Sequence, residues 1–524
     1  MAVRHEIHFG NRLVRTYEQR PSSLVDILRA SAERMPDRLA IADDRHRLDY
    51  RRLWELALAF GQLPAIRRLP RGSRVLMSIG NCAEFPIVFF GCIAAGLVPI
   101  PVGGRLRRPE LAYIARDSEA AAAVFERDVT EHLPTQDDLG RPFCRIVVPD
   151  DFDISAPAGL PQVPPGPTAE PGEDDGACML YTSGTTGRPK GAILAHLNLV
   201  HSALHWKAML ELKEGDVTAL AIPASHVAAI GGVIVPFLAL GGTIHFVREF
   251  NAGALLRLVA SERINHTLLV PAMYNLCLRT EEIGTLDLAH WQLGVFGGAP
   301  MPVPTIERYN QLLPGLAMRN AYGATETASP ATITRLRAEA PPHDSVGQVV
   351  ECGTIIVVDE DGREVAPGET GELLIGGPMV IPGYWNNAEA NAASFVDGYW
   401  RSGDIGSVDA EGYVRVFDRK KDMINRGGYK VYPAEVESVI QGLRAVVEAA
   451  VIGYAHDVLG EKAHAIINSS SADLSAEAVL DHCSRLLADY KVPDRVTIVH
   501  EPLPRNANGK LQKSELRKLY GEPH

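Results

Sequence analysis

Residues Tyr181 to Gly191 read Tyr-Thr-Ser-Gly-Thr-Thr-Gly-Arg-Pro-Lys-Gly, directly after the apolar run Ala177 to Tyr181. An apolar run of that length predicts a strand, and the string after it predicts a loop rich in donors. Glycines let backbone N–H groups turn toward an anion, while the hydroxyls and the lysine add further donors. A phosphate chain suits such a loop. The spacing is not that of the Walker loop, Gly-x4-Gly-Lys-Ser/Thr, because Lys190 stands three positions past Gly187. Thr182, Ser183, Gly184, Thr185, Thr186, Gly187 and Lys190 are therefore candidate phosphate contacts.

Four more groups carry chemistry. In Tyr322-Gly323-Ala324-Thr325-Glu326, the Tyr322 ring offers a face for a nucleobase. The Glu326 carboxylate is a hard oxygen ligand suited to Mg²⁺ beside phosphates. Gly297-Gly298-Ala299-Pro300 follows the apolar strand Leu293 to Phe296, and its small residues allow close approach of a planar base. Asp404, in Tyr399-Trp400-Arg401-Ser402-Gly403-Asp404, can accept from both hydroxyls of a ribose. Arg419, fifteen residues on, is a second group able to reach the ribose. Near the end, Pro504-Arg505-Asn506-Ala507-Asn508-Gly509-Lys510 presents one lysine from an Asn/Gly loop. His226 lies in the apolar stretch Ile222 to Ala228, where a histidine is more often a satisfied core residue than a catalyst.

Taken in order, these strings resemble the motifs of the adenylate-forming enzymes: acyl- and aryl-CoA ligases, adenylation domains and beetle luciferases. Ser402 stands where that family usually has Thr, and Asp418 where it usually has Gly. The resemblance implies an ATP-dependent carboxylic acid–CoA ligase. Such an enzyme forms an acyl-adenylate and pyrophosphate, then the acyl-CoA thioester with release of AMP. It implies ATP, Mg²⁺ and coenzyme A, with Glu326 as the metal ligand and Lys510, Thr182, Lys190 and His226 as catalytic residues. The AMP site it implies adds Gly298, Ala299, Pro300, Asn320, Ala321, Tyr322, Gly323, Thr325, Asp404 and Arg419 to the phosphate loop. Its acid pocket would comprise His226, Val227, Ala228, Gly298, Ala321 and Gly323. Its hinge would be Lys421, and Gly427 and Gly428 would serve the thioester step. A stand-alone enzyme that loads a carrier protein instead of CoA is the alternative; no carrier domain is fused, which favours CoA.

The pocket segment Ser225 to Gly232 has no acid to pair an α-amine and no Lys or Arg to pair a second carboxylate. Its Ala and Gly residues suggest room for an aromatic or medium-chain carboxylate.

The elements that must position these residues follow from the rest of the chain. Its 524 residues exceed one core and imply at least two domains. The serine start and periodicity of residues 22 to 35 predict a helix. Alternating strands and helices, among them Arg74 to Ile79 and Ala122 to Phe125, predict α/β layers with largely parallel sheets. From Gly347 short strands and turns predict a small antiparallel subdomain, and beyond Arg419 the texture is α+β. The expected fold is thus a large α/β N-terminal domain of layered sheets with a small β subdomain, residues 1–419. A small mobile α+β C-terminal domain follows, residues 420–524.

A net charge of −12 argues against nucleic-acid binding. Seven scattered cysteines without a Cys-x-x-Cys pair, and a start lacking a signal-peptide core, suggest a reduced, cytoplasmic protein. The longest apolar run, Ile87 to Val102, is broken by Pro99 and Pro101 and reads as a buried helix turning into a strand through Gly96, not a membrane span. The expected partners are small molecules, with the protein a monomer or homodimer.

Overall fold

A computed structural model describes residues 2–140, 143–155, 170–182, 188–338, 341–505 and 511–521. The helix expected over residues 22 to 35 spans Leu24–Arg34, and its Ser23 side chain accepts from Asp26 N at the N-terminus. Leu24, Ile27, Leu28 and Ser31 form its buried face. The long apolar run resolves as foreseen. Helix Glu84–Ala94 is buried all round, Gly96 turns the chain at φ +76°, and strand Val98–Pro101 follows. Gly91 lies where this helix crosses helix Tyr50–Gly61, and a Cβ there would stand 2.7 Å from Ala57 O.

Among the described residues, the largest sheet has nine strands. Its centre runs Ala317–Tyr322, Leu293–Gly297, His266–Leu269, Val217–Leu220, Thr243–Phe246 and Leu39–Ala42, all parallel, with antiparallel strands at both edges. A second parallel sheet orders Val98–Pro101, Arg74–Ser78, Ala122–Glu126 and Cys144–Val148. Parallel strands buried on both faces read as continuous apolar runs, and Leu293–Phe296 and Val75–Met77 are such runs. The expected antiparallel subdomain joins Thr354–Val358, Gly371–Gly376, Tyr399–Val408 and Val414–Arg419.

Past Arg419 a separate sheet forms from Ile424–Arg426, Tyr429–Val431, Val446–His456, Gly460–Ser469 and Arg495–Val499. Its apolar clusters draw only on residues from Ile424 onward, and helices Pro433–Gln441, Ala476–Leu486 and Lys513–Tyr520 cover it. The large domain and this small one therefore have cores of their own. The seven cysteines are free thiols, six of them buried. Among the described residues, no helix is long and apolar enough to cross a membrane.

Candidate active site

The described flanks of the phosphate-loop string are two antiparallel strands. Strand Gly176–Thr182 enters and strand Lys190–Ala195 leaves, so that Thr182 and Lys190 are direct register partners. Ser183, Gly184, Thr185, Thr186 and Gly187 lie outside the described residues, and their assignment rests on the sequence. A third strand, Gly383–Tyr384, pairs with the outgoing one, Ala192 opposite Tyr384. The Lys190 ammonium stands 5.2 Å from the centroid of the Tyr384 ring, within cation–π range.

Tyr384 also donates its phenolic hydrogen to Glu326 Oε1 at 2.8 Å. Glu326 is buried in the short helical turn Thr325–Thr327. Its hydrogen-bond partner is a phenol, not a cation. A buried carboxylate that is oriented but not neutralised suits a hard divalent cation, and the donor chemistry fits Mg²⁺. Burial first, then the Glu326 carboxylate, raises the Tyr384 phenol far above its usual range. The sequence reading missed Tyr384. The only signal was an aromatic pair in Pro382-Gly383-Tyr384-Trp385, which by itself reads as a turn.

Three residues foreseen for the nucleoside meet as a second group. Tyr322 donates its phenolic hydrogen to Asp404 Oδ2, and Arg419 Nε lies 2.6 Å from Asp404 Oδ1. They share a carboxylate although 82 residues separate Tyr322 from Asp404. The pairing of strands Tyr399–Val408 and Val414–Arg419 sets Asp404 opposite Arg419. Burial opposes the charge of Arg419, but Asp404, Tyr322, Glu326 and Asp422 together more than restore it. Burial and then Asp404 push the Tyr322 phenol well up. Ser402 in place of threonine keeps a hydroxyl, which donates to Leu373 O at 2.7 Å and accepts from Asp404 N at 3.0 Å. Asp418 in place of glycine does more than fill a position. Its carboxylate accepts from Arg419 N and, across to the small domain, from Ala434 N at 2.9 Å near the start of helix Pro433–Gln441.

Gly298, Ala299 and Pro300 are exposed beyond the C-terminal end of strand Leu293–Gly297, and Gly298 takes φ +79°. Asn320 and Ala321 lie on the neighbouring parallel strand, where Asn320 donates to Ser345 O at 3.3 Å. These residues gather at the carboxyl ends of parallel strands, where open α/β sheets bind ligands.

Gly323 packs tightly beside this edge: a Cβ there would stand 1.5 Å from Ser329 O. The facing turn is itself strained, with Ala328 at φ +49° and Ser329 at φ +102°.

His226 caps a short helical turn, its Nδ1 accepting from Ala228 N at 3.2 Å. Val227 is buried and Ala228 half-buried. A π-helical turn, Ile230–Ile234, follows. Here the structure corrects one expectation. Gly231 and Gly232 do not open space for an acid. A Cβ on Gly231 would lie 2.5 Å from Ala328 O, and one on Gly232 would lie 2.9 Å from Leu268 Cδ2 and 3.1 Å from Trp206 Cζ2. Those glycines let the helix press against the 328–329 turn and Trp206. A positioning residue behind this segment was also missed. Asn81 donates to Ile222 O at 2.9 Å and Val247 O at 3.1 Å, and accepts from Ala224 N at 2.8 Å.

Lys421 is exposed in a turn closed by Asp422 N and Met423 N donating to Arg419 O. Gly427 and Gly428 form the tip of hairpin Ile424–Arg426/Tyr429–Val431, both at positive φ, with Gly427 N donating to Leu459 O at 2.7 Å. Lys510 lies outside the described residues. Its flanks are held: Arg505 and Leu511 bridge, and Lys513 Nζ contacts Glu437 Oε1 at 2.8 Å.

Residues 28–385 match the AMP-binding enzyme family, and residues 435–510 match the AMP-binding enzyme C-terminal domain. The chain belongs to the AMP-binding enzyme family. It is 33% identical over 481 residues to the long-chain-fatty-acid–CoA ligase FadD13 of Mycobacterium tuberculosis, covering 90% of this chain and 93% of that one. A feruloyl-CoA synthase of an Amycolatopsis species is 35% identical, with 86% and 89% covered. Among solved structures, ATP-bound MatB from Rhodopseudomonas palustris superposes with a TM-score of 0.86 at 30% identity, over 95% of this chain and 99% of that one.

Proposed function

We propose that this AMP-forming acid–CoA ligase acts on an aromatic or medium-chain carboxylate. The observation that carries the reading is a convergence. The Lys190–Tyr384–Glu326 contacts and the Tyr322–Asp404–Arg419 contacts flank one five-residue stretch, Tyr322 to Glu326. One side suits a triphosphate, the other a nucleoside.

In this reading Thr182, Lys190 and the loop between them hold the phosphates. The Lys190 ammonium offsets charge on the departing pyrophosphate, since phosphoryl and nucleotidyl transfer rely on positioning and electrostatic stabilisation. Asp404 and Arg419 hold the ribose. The Tyr322 ring stacks on adenine, with Gly298, Ala299, Pro300, Asn320 and Ala321 around it and Thr325 at the phosphate. Mg²⁺, when bound at Glu326, neutralises phosphate charge. Lys510 reaches the carboxylate and α-phosphate for the first step. Residues 420–524 then turn about Lys421, and Gly427 and Gly428 approach with the thiol past His226.

Two observations support an uncharged acid tail. The segment Ser225 to Gly232 carries no charged side chain. Val270 is 38% exposed at the same sheet edge, 3.9 Å from where a Gly298 Cβ would stand. A feruloyl-CoA synthase among the relatives is consistent with an aromatic acid.

A panel of carboxylic acids assayed for AMP formation with ATP, with and without CoA, tests both parts. The expected result is CoA-dependent AMP release, fastest with aryl or medium-chain acids. Pyrophosphate release that CoA leaves unchanged would point to a carrier protein instead, and preference for a dicarboxylate or an amino acid would refute the substrate class.

Ala228→Leu is expected to shift preference toward smaller acids. A clash of one methylene or more in such a pocket costs about 1–3 kcal/mol, or about 10–200-fold in relative kcat/KM. An unchanged ratio between large and small acids would remove Ala228 from the pocket.

A further inference from the structure

Tyr384 belongs to none of the motifs that mark the site, yet it touches two of them. We infer that Tyr384 is a positioning residue for adenylation, holding the Glu326 carboxylate in a fixed relation to Lys190 by donating its phenolic O–H to one and offering its ring face to the other. The hydrogen bond is 2.8 Å long, and the ammonium lies 5.2 Å from the ring centroid.

The choice of residue type has a reason. A lysine or arginine at this place would orient the carboxylate but would also cancel its charge and compete with a divalent cation. A phenol orients without neutralising. The ring also faces the lysine side chain, which a smaller hydroxyl residue could not do.

The frame around Tyr384 is rigid. Its backbone N–H donates to Asn391 Oδ1 at 2.7 Å, and its carbonyl accepts from Asn391 Nδ2 at 3.0 Å. Trp385 N donates to Gly191 O at 2.7 Å, tying the segment to the residue after Lys190. Ile381 N donates to Glu326 O at 3.0 Å, tying it to the other partner. Arg12 donates to Val380 O and Ile381 O, each at 3.0 Å. The segment from Val380 to Trp385 is thus pinned to the exit of the phosphate loop and to the Glu326 turn, and Tyr384 completes that link through side chains. Outer partners that orient a ligating carboxylate typically change metal affinity by about 10–100-fold when removed.

The inference rests on the reading of Glu326 as the metal ligand, so both are tested together. Tyr384→Phe keeps the ring and nearly the whole volume. The Mg²⁺ concentration for half-maximal pyrophosphate release should rise by about tenfold or more. Mn²⁺ binding to the full-length protein with a non-hydrolysable ATP analogue, followed by electron paramagnetic resonance, should weaken by a similar factor without any turnover. Thioester formation from a supplied acyl-adenylate and CoA should stay within about twofold of wild type, because that step does not use the phosphate site. Tyr384→Leu, which also lacks the ring, should in addition raise KM for ATP. Glu326→Gln serves as the reference. If it weakens Mn²⁺ binding and Tyr384→Phe does not, the positioning role is overturned while the metal reading stands. If Glu326→Gln leaves Mn²⁺ binding unchanged, the metal reading fails and this inference with it. Equal loss in both half-reactions of Tyr384→Phe would mean a merely structural tyrosine.

Discussion

Replacing Lys510 with alanine is expected to slow acyl-adenylate formation by about 10²–10³-fold while sparing thioester formation from a supplied adenylate. The first effect follows from charge. As the carboxylate attacks, negative charge gathers between it and the α-phosphate, and an ammonium placed there acts mainly on that transition state. The second effect follows from geometry. If the small domain turns about Lys421 before the thiol arrives, the lysine has left the centre by then. The described flanks on either side of residues 506–510 belong to that domain. Arg505 pairs with Glu448, and Lys513 is anchored on helix Pro433–Gln441 through Glu437. Acetylation would remove the same charge and should give the same split. Pyrophosphate release and CoA consumption, measured separately, decide it. Equal loss in both would refute the two-orientation account, and near-normal adenylation would place Lys510 outside the site.

Glu437→Ala is expected to destabilise the small domain by about 3–5 kcal/mol, the usual cost of removing one partner of a buried ion pair. Glu437 accepts from Lys513 Nζ at 2.8 Å and from Val451 N at 2.7 Å, and both side chains are about 15% exposed. Without the carboxylate, the largely buried Lys513 ammonium loses its direct partner and keeps only the electrostatic attraction of Asp418 and Asp422. The measurement has a convenient feature. All five tryptophans, at 54, 206, 291, 385 and 400, precede the small domain. In urea, far-ultraviolet circular dichroism should show an early transition that tryptophan emission does not share. The double change Glu437→Leu with Lys513→Met should restore most of the loss, since apolar replacements of buried pairs are often neutral or better. Coincident, unshifted transitions in the single variant would show that the pair contributes little.

What the sequence made legible was chemistry carried by contiguous strings. Gly298, Tyr322, Asp404 and Arg419 each stood in a short run whose residue types suited a nucleotide, and the fold brings Asp404 and Arg419 into contact. Helices and strands with strong local signals were legible too. Ser23 announced its helix, and the apolar run with Gly96 announced a buried helix and strand. Contacts between distant segments were not legible. Tyr384 reaches Glu326 across 58 residues only because strand Gly383–Tyr384 adds to the phosphate-loop hairpin, and nothing in Pro-Gly-Tyr-Trp specifies that pairing. The small residues Gly231 and Gly232 misled for a related reason. Sequence gives the volume a side chain lacks, not which neighbour takes that volume. Here Trp206, Leu268 and the 328–329 turn take it.

The contact between Asp418 and Ala434 N has a consequence in terms of linkage. Asp418 and Arg419 are adjacent on one strand, the first bonded to the small domain and the second to Asp404, the carboxylate proposed to hold the ribose. Nucleotide occupancy and domain orientation thus meet at neighbouring residues. Thermodynamic reciprocity then constrains them: whatever factor the Asp418 contact contributes to nucleotide affinity, bound nucleotide must contribute the same factor to the contact. Comparing nucleotide affinity in Asp418→Gly with that of the parent therefore measures, at equilibrium and without watching any motion, how strongly the ligand itself sets the arrangement of the two domains.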